Sequence, residues 1–301
     1  MIQATAVNKT FEDLQAVQNL TLHVKKGSIY GLLGSNGAGK TTLLKMMAGI
    51  YKQDNGSITI AEKPVFETPD TKQHVLFIPD QPHFLHQSSL KDMGSFYKEV
   101  YTRWNQKRFE QLTKHFRMNP DKKLTRMSKG MQRQAAFILT LSTMPDVLIL
   151  DEPFDGLDPV VRQQMKNVIL QDVADRKMTL IVSSHNLREM EDFCDYVGIM
   201  HNGGLLFERD LDELKTDIHK LQVAFKVLPD KEEFLKGMDV LHYEKRGSVL
   251  LIIVKGNEDQ ILPYVKSFNP AIFDLLPLTL EEIFIYELGG VGYEIRNLIV
   301  E

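Results

Sequence analysis

Ser28-Ile29-Tyr30-Gly31-Leu32-Leu33 runs straight into Gly34-Ser35-Asn36-Gly37-Ala38-Gly39-Lys40-Thr41-Thr42 and then into Leu43-Leu44-Lys45-Met46-Met47-Ala48-Gly49. The first six residues are mostly apolar, the composition of a strand buried on both faces. The last seven are helix formers closed by a glycine. Between them, Gly34-x-x-x-x-Gly39-Lys40-Thr41 matches the phosphate-binding loop in full. Glycines let successive backbone N–H groups turn inward around phosphate oxygens, where side chains would otherwise obstruct them. The helix that follows points its positive end at the same anion. In this pattern Lys40 reaches the β- and γ-phosphates and the Thr41 hydroxyl ligates Mg²⁺. The candidate nucleotide-binding residues are therefore Gly34, Ser35, Asn36, Gly37, Ala38, Gly39, Lys40, Thr41 and Thr42.

A second constellation fits the first. Val147-Leu148-Ile149-Leu150-Asp151-Glu152-Pro153 places two adjacent carboxylates at the C-terminal end of a buried strand, where ligands of open α/β sheets bind. Two carboxylates at a strand end repel one another without a cation, so a metal is part of the expectation. Asp151 is positioned to hold Mg²⁺, and Glu152 to polarise an attacking water.

Working outward, Met178-Thr179-Leu180-Ile181-Val182 reads as another apolar strand, separated from Val147–Leu150 by the amphipathic stretch Val160–Val173. Apolar strands alternating with helices indicate an α/β fold with a parallel sheet covered on both faces. Leu20, Leu22 and Val24 alternate with polar residues before Lys26-Gly27, a half-buried strand and a turn. From about Leu90 to Leu141 the chain reads mostly as helix, with Trp104, Phe109, Leu112 and Phe116 as a core stripe. After Gly203-Gly204 the texture changes. Strand (Leu221–Val227), helix (Lys231–Gly237), strand (Val240–Tyr243), strand (Ser248–Val254), helix (Glu258–Phe268) and strand (Ala271–Leu275) make the split ferredoxin-like order β-α-β-β-α-β. A last helix, Thr279–Leu288, is expected to stop at Gly289-Gly290, with Phe284, Ile285 and Leu288 on its apolar face.

Composition removes several classes. The chain has 301 residues, 43% hydrophobic and 25% charged, more than one core comfortably holds. Its longest apolar run, Val249–Val254, is far short of the roughly 20 residues that cross a bilayer. The N-terminus lacks the basic start and apolar core of a signal peptide, so a cytosolic chain is expected. One cysteine, Cys194, permits no internal disulfide, which suits a reducing compartment. With 36 Lys and Arg against 40 Asp and Glu, the net charge of −4 argues against a dedicated nucleic-acid binder.

Together these motifs resemble the nucleotide-binding subunit of an ATP-binding cassette (ABC) transporter over about residues 1–212. The family's Leu-Ser-Gly-Gly-Gln signature falls on Met127-Ser128-Lys129-Gly130-Met131, where Ser128 and Gly130 match strictly. Ser-Lys-Gly-Met resembles a variant familiar among exporter ATPases. A serine hydroxyl and a glycine N–H at a helix start suit a γ-phosphate. Gly156-Leu157-Asp158-Pro159 resembles the D-loop, which brings in Asp158. His185 after Ser183-Ser184 matches the switch histidine that hydrogen-bonds the γ-phosphate and positions water. Phe11 occupies the place of the aromatic residue that stacks on adenine. Ile78-Pro79-Asp80-Gln81-Pro82 departs from the family, which usually carries Gln there. Either Asp80 or Gln81 could reach Mg²⁺, and position favours Asp80.

The resemblance implies a P-loop NTPase fold, with a RecA-like core, antiparallel β and helical subdomains (the latter about residues 88–142), and a small α+β accessory or regulatory domain over residues 213–301. It also implies ATP and Mg²⁺, with Glu152 and His185 catalytic. The metal residues would be Thr41, Asp80 and Asp151; the nucleotide contacts would add Phe11, Ser128, Lys129, Gly130 and Asp158 to the loop. Each ATP would lie between one subunit's loop and Ser128 of a second subunit, a homodimer or a pair with a close paralogue. The membrane-spanning permease would be a separate chain, with this subunit on the inner face of the cell membrane, as in ABC-2 type bacterial exporters; no nucleic acid is expected. The competing class is a soluble ABC ATPase that moves no cargo, but neither an inserted coiled coil nor a second cassette is present. A P-loop GTPase lacks support because no Asn-Lys-x-Asp motif occurs.

Overall fold

The N-terminal residues alternate apolar and polar, and they pair as an antiparallel hairpin: β1 (Ile2–Phe11) and β2 (Leu14–Val24), with Ile2, Ala4, Val7, Leu20, Leu22 and Val24 buried. The chain turns at Gly27 into β3 (Ile29–Leu33), buried at all five positions because its residues offer no polar face. Helix α1 (Lys40–Met47) follows, then β4 (Asn55–Ile60) and β5 (Lys63–Pro64). These two complete a four-stranded sheet of order β2-β1-β4-β5. The computed structural model describes residues 1–289, with the side chains at 215, 284 and 287–289 outside that description.

After α2 (Pro69–Lys72) and β6 (Val75–Ile78) come three longer helices, α3 (Leu90–Val100), α4 (Gln106–His115) and α5 (Lys129–Ser142). Each starts at a side-chain cap, Ser89, Asn105 and Ser128 respectively. Phe109, Leu112 and Phe116 are buried along α4, while Trp104 lies just before that helix with its ring 5.2 Å from Phe109. Strand β7 (Val147–Leu150), helix α6 (Pro159–Arg176) and strand β8 (Thr179–Ser184) return the chain to the core. Buried Asp172 on α6 accepts from Arg108 at 2.7 Å and Arg176 at 2.9 Å, which ties α4 to the core. Removing both cations would leave a buried charge uncompensated, at a cost of about 3–5 kcal/mol.

Helix α7 (Leu187–Glu191) leads to β9 (Tyr196–His201) and β10 (Gly204–Asp210), which complete a six-stranded sheet of order β10-β9-β3-β8-β7-β6. The pairs β6/β7, β7/β8, β8/β3 and β3/β9 are all parallel. Parallel pairing decides where the site stands: Leu33 is level with Ser184, and Leu150 with Val182, so the residues following β3, β7 and β8 emerge at one edge.

Two compact units result, Met1–His185 with Tyr196–Glu208, and Asn186–Asp195 with the described residues from Arg209 onward. The second contains α8 (Leu211–Asp217), β11 (Ile218–Ala224), α9 (Lys231–Leu235), β12 (Asp239–Arg246), β13 (Val249–Lys255), α10 (Glu258–Ser267), β14 (Ile272–Leu276) and α11 (Leu280–Gly289). Its sheet has the order β12-β13-β11-β14 with antiparallel neighbours throughout, the split ferredoxin-like arrangement. The first strand sits earlier than its apolar residues suggested. Asp230 accepts from the N–H groups of Glu232 and Glu233 to start α9, so the chain leaves the sheet at Ala224 and Val227 is 85% exposed. Of the last helix's expected apolar face, Ile285 is exposed; the side chains of Phe284 and Leu288, and the stop at Gly289-Gly290, lie outside the described residues.

Candidate functional site

The loop between β3 and α1 folds as the glycine pattern requires. Gly39 has φ +101°, and a Cβ there would stand 2.2 Å from the Ala16 carbonyl oxygen, so β2 can pass only a residue without a side chain. Gly39 is also the N-cap of α1 and supplies no side-chain cap. The first-turn N–H groups of α1 are consequently left for an anion. From the far side the turn between β9 and β10 holds the loop, with the Gly203 N–H donating to Ala38 O at 3.1 Å.

Lys40 is 6% exposed. Its Nζ donates to Gly34 O at 2.6 Å and Ser35 O at 3.3 Å, and lies 3.4 Å from Glu152 Oε1. Thr41 Oγ1 donates to Asp151 Oδ2 at 2.8 Å. Asp151 is 3% exposed and receives a second hydroxyl, Ser183 Oγ, at 2.7 Å on Oδ1. The same Ser183 oxygen accepts the Glu152 N–H at 3.0 Å. Glu152 has φ +45°, a left-handed conformation uncommon for a non-glycine residue, and this N–H bond helps to hold it there. His185 Nδ1 is 3.0 Å from Glu152 Oε2. With an ionised Glu152 that contact requires the proton on Nδ1, which leaves Nε2 of a neutral ring as an acceptor.

Side chains from three strand ends thus form one connected set: Lys40 and Thr41 after β3, Asp151 and Glu152 after β7, Ser183 and His185 at the end of β8. Four of them, Lys40, Thr41, Asp151 and Glu152, line a cleft of about 570 Å³ together with the rest of residues 35–42, Asp80, Leu14, Gln15, Ala16, Asn202 and Gly203, while Ser183 and His185 join the set through Asp151 and Glu152. Thr41 and Asp151 offer hard oxygen donors side by side, the kind of partial set Mg²⁺ takes when substrate phosphates complete its shell. Among the described residues no group of three His, Cys, Asp or Glu could hold a metal alone, so here too phosphate oxygens would have to contribute. Asp80 lines the cleft, but its carboxylate is ion-paired with Arg133. Gln81 is exposed and does not line it.

Other expected residues stand apart from this set. Ser128 caps α5 by accepting the Met131 N–H at 3.3 Å. Asp158 caps α6 through the N–H groups of Val160 and Val161, each at 3.0 Å. A Cβ on Gly130 would lie 3.3 Å from Leu157 Cδ2, so the Ser128-Lys129-Gly130 and Gly156-Leu157-Asp158 segments adjoin one another. None of these residues lines the cleft. Phe11 is 38% exposed, stands edge-on to Tyr51 at 5.4 Å and pairs across the hairpin with Leu14, which does line it. Lys9 and the Thr10 N–H hold the neighbouring Asp54 carboxyl below its ordinary range, pinning this end of β1 to the start of β4.

Sequence reasoning missed Ser183, Arg133 and the wall formed by Leu14, Gln15 and Ala16. Ser183 carried a faint signal, a hydroxyl closing an otherwise apolar strand. Leu14, Gln15 and Ala16 are brought to the cleft, and Arg133 to Asp80 at its edge, by long-range packing.

The pattern of the ABC transporter family matches residues 17–155. The bacitracin transport ATP-binding protein BcrA of Bacillus licheniformis is 32% identical over 303 residues, covering 96% of this chain and 98% of BcrA. The ABC transporter ATP-binding protein YtrB of Bacillus subtilis is 28% identical over 290 residues, covering 96% of this chain and 99% of YtrB. Among solved structures, an ATP-binding subunit of an ABC transporter superposes with a TM-score of 0.66 at 25% identity, over 71% of this chain and 92% of that one.

Proposed function

Since this chain belongs to the ABC transporter ATP-binding family, we propose that it is an ATPase subunit driving export through a separate membrane-spanning permease. Two copies, or one copy and a close paralogue, close head to tail over two ATP molecules. Residues 1–212 act as the cassette in this reading, and residues 213–301 as an accessory or regulatory domain.

The observation that carries the hydrolytic part is the meeting of Lys40 and His185 on the Glu152 carboxylate. The N–H groups of the loop and α1 bind the phosphates, with Lys40 between the γ-phosphate and Glu152. Glu152 accepts the proton of the attacking water, and His185 orients Glu152 and the γ-phosphate oxygens. Thr41 and Asp151 would hold Mg²⁺, which when bound supplies charge neutralisation on the phosphates. Asp80, whose Oδ1 accepts from Arg133, has Oδ2 left to join them. Ser128 and Gly130 of the second subunit cover the γ-phosphate, Asp158 stands at the seam, and Phe11 stacks on the adenine.

Two facts support a separate permease. No described helix is long and apolar enough to cross a membrane. The relatives include proteins named for bacitracin transport and, in Streptococcus pyogenes, lantibiotic transport. The subunit would therefore sit on the cytoplasmic face of the cell membrane, with cargo selected by the partner. Affinity capture of the tagged chain from detergent-solubilised membranes tests this: a multispanning protein that co-purifies is the expected result. Recovery with ribosomes or DNA alone would instead identify a soluble ABC ATPase.

A further inference from the structure

Arg133 is 13% exposed and lies behind the cleft wall, yet it grips a residue at the cleft's edge. It stands in the second turn of α5, the helix that Ser128 caps. Its Nη2 donates to Asp80 Oδ1 and its Nε donates to the Asp80 carbonyl oxygen at 3.1 Å. One guanidinium thus holds both the side chain and the backbone of one residue, a two-point grip that lysine cannot reproduce. Its Nη1 stands 3.9 Å from where a Cβ on Gly156 would be, so the same group also lies beside the turn that follows β7.

The charges of the cleft make this grip consequential. The ionisable side chains lining it are Lys40, Asp80, Asp151 and Glu152, one cation against three anions. Asp151 is served by two hydroxyl donors and Glu152 by Lys40 and His185, which leaves Asp80 to Arg133. A nucleoside triphosphate brings further negative charge into the same space.

We propose that Arg133 is a positioning residue for the nucleotide: held on Asp80 from behind the cleft wall, it neutralises that carboxylate so that a polyphosphate can enter. The proposal rests on the nucleotide-binding reading of the cleft. Because Coulomb repulsion scales with the ligand's charge, losing Arg133 penalises a triphosphate more than a diphosphate.

The test is a titration of the full chain with fluorescent ATP and ADP analogues in EDTA, which keeps any metal role of Asp80 out of the comparison. Arg133→Gln should weaken ATP binding about tenfold, and ADP binding less, as expected for one uncompensated charge at a half-exposed site. Asp80→Asn removes the anion and its ion pair while the carbonyl bond to Arg133 remains, and should bind ATP as tightly as wild type or more tightly. The double variant Asp80→Asn/Arg133→Gln should return to within about threefold of wild type. Unchanged ATP affinity in Arg133→Gln would overturn the proposal. So would equal losses in Arg133→Gln and Asp80→Asn, which is the result a purely structural pair gives. If Arg133→Gln does not fold, the direction of the change in Asp80→Asn decides. Lys40→Ala in the same titration separates the two levels: if it binds ATP like wild type, the nucleotide reading itself fails. A wild-type chain that binds, a Lys40→Ala chain that does not and an Arg133→Gln chain equal to wild type would remove this proposal alone.

Discussion

The cleft around Lys40 and the face carrying Ser128 and Asp158 belong to the same compact unit, but they are finished to different degrees. In the cleft, Lys40 reaches Glu152, Thr41 reaches Asp151, Ser183 bridges the two acids and His185 closes on Glu152. Each group has a partner from another segment. On the other face, the bonds of the Ser128 and Asp158 side chains run to the N–H groups of the helices they begin. The cleft's connected side chains are therefore in place when one chain folds, whereas the Ser128 face is shaped by local capping; in the proposed dimer it would act on a nucleotide held by the second subunit. Arg133 is the physical link between them, one end of α5 being the cap and its second turn the grip on Asp80.

That contrast can be broken at either end. The largest effect should come from the finished side: Glu152→Gln removes the proton acceptor while keeping shape and most hydrogen bonds. Phosphate release should fall by about a hundredfold to ten-thousandfold, the range for loss of a general base. Nucleotide binding in the same preparation should persist, and full turnover would remove the role assigned to Glu152. A smaller effect is expected from Ser128→Ala. The lost cap should cost about 1 kcal/mol of stability, read as a lower thermal midpoint. If Ser128 serves a partner's nucleotide, ATP binding to the isolated chain should stay unchanged while steady-state hydrolysis drops about tenfold or more. A Ser128→Ala chain that loses stability but hydrolyses normally would reduce this residue to its cap and leave the comparison without its second half.

The legibility of the sequence followed the same division. The loop from Gly34 to Thr42 is contiguous, and its glycines report a backbone requirement directly, so its position and shape could be read from one stretch. Asp151 and Glu152 were readable because a fully apolar strand ends on them. Ser128 could be placed at a helix start for the same local reason, whereas Asp158 entered only through its resemblance to the D-loop and its cap on α6 emerged from the structure. What escaped depends on contacts distant in the chain: Arg133 meets Asp80 across 53 residues, and Ser183 meets Asp151 across 32. Neither residue type signals such a partner alone. In the second unit, the order of strands and helices was legible from alternation, but β11 begins at Ile218 because its pairing with β13 and β14 fixes the register. Apolar Val227 was drawn into the expected strand, although the cap at Asp230 has already turned the chain away.

In the proposed dimer a working site combines Lys40 of one subunit with Ser128 of another, and mixing two damaged chains is the decisive experiment. Lys40→Ala and Ser128→Ala chains each carry one defect in every composite site. In a mixed dimer, one site collects both defects and the other has none. If subunits exchange freely, half the dimers are mixed and one site in each is intact, so an equimolar mixture should recover about a quarter of wild-type hydrolysis. Recovery well above the average of the two separate chains is the predicted result. A mixture no more active than that average would rule out the composite site and place the whole site within one chain.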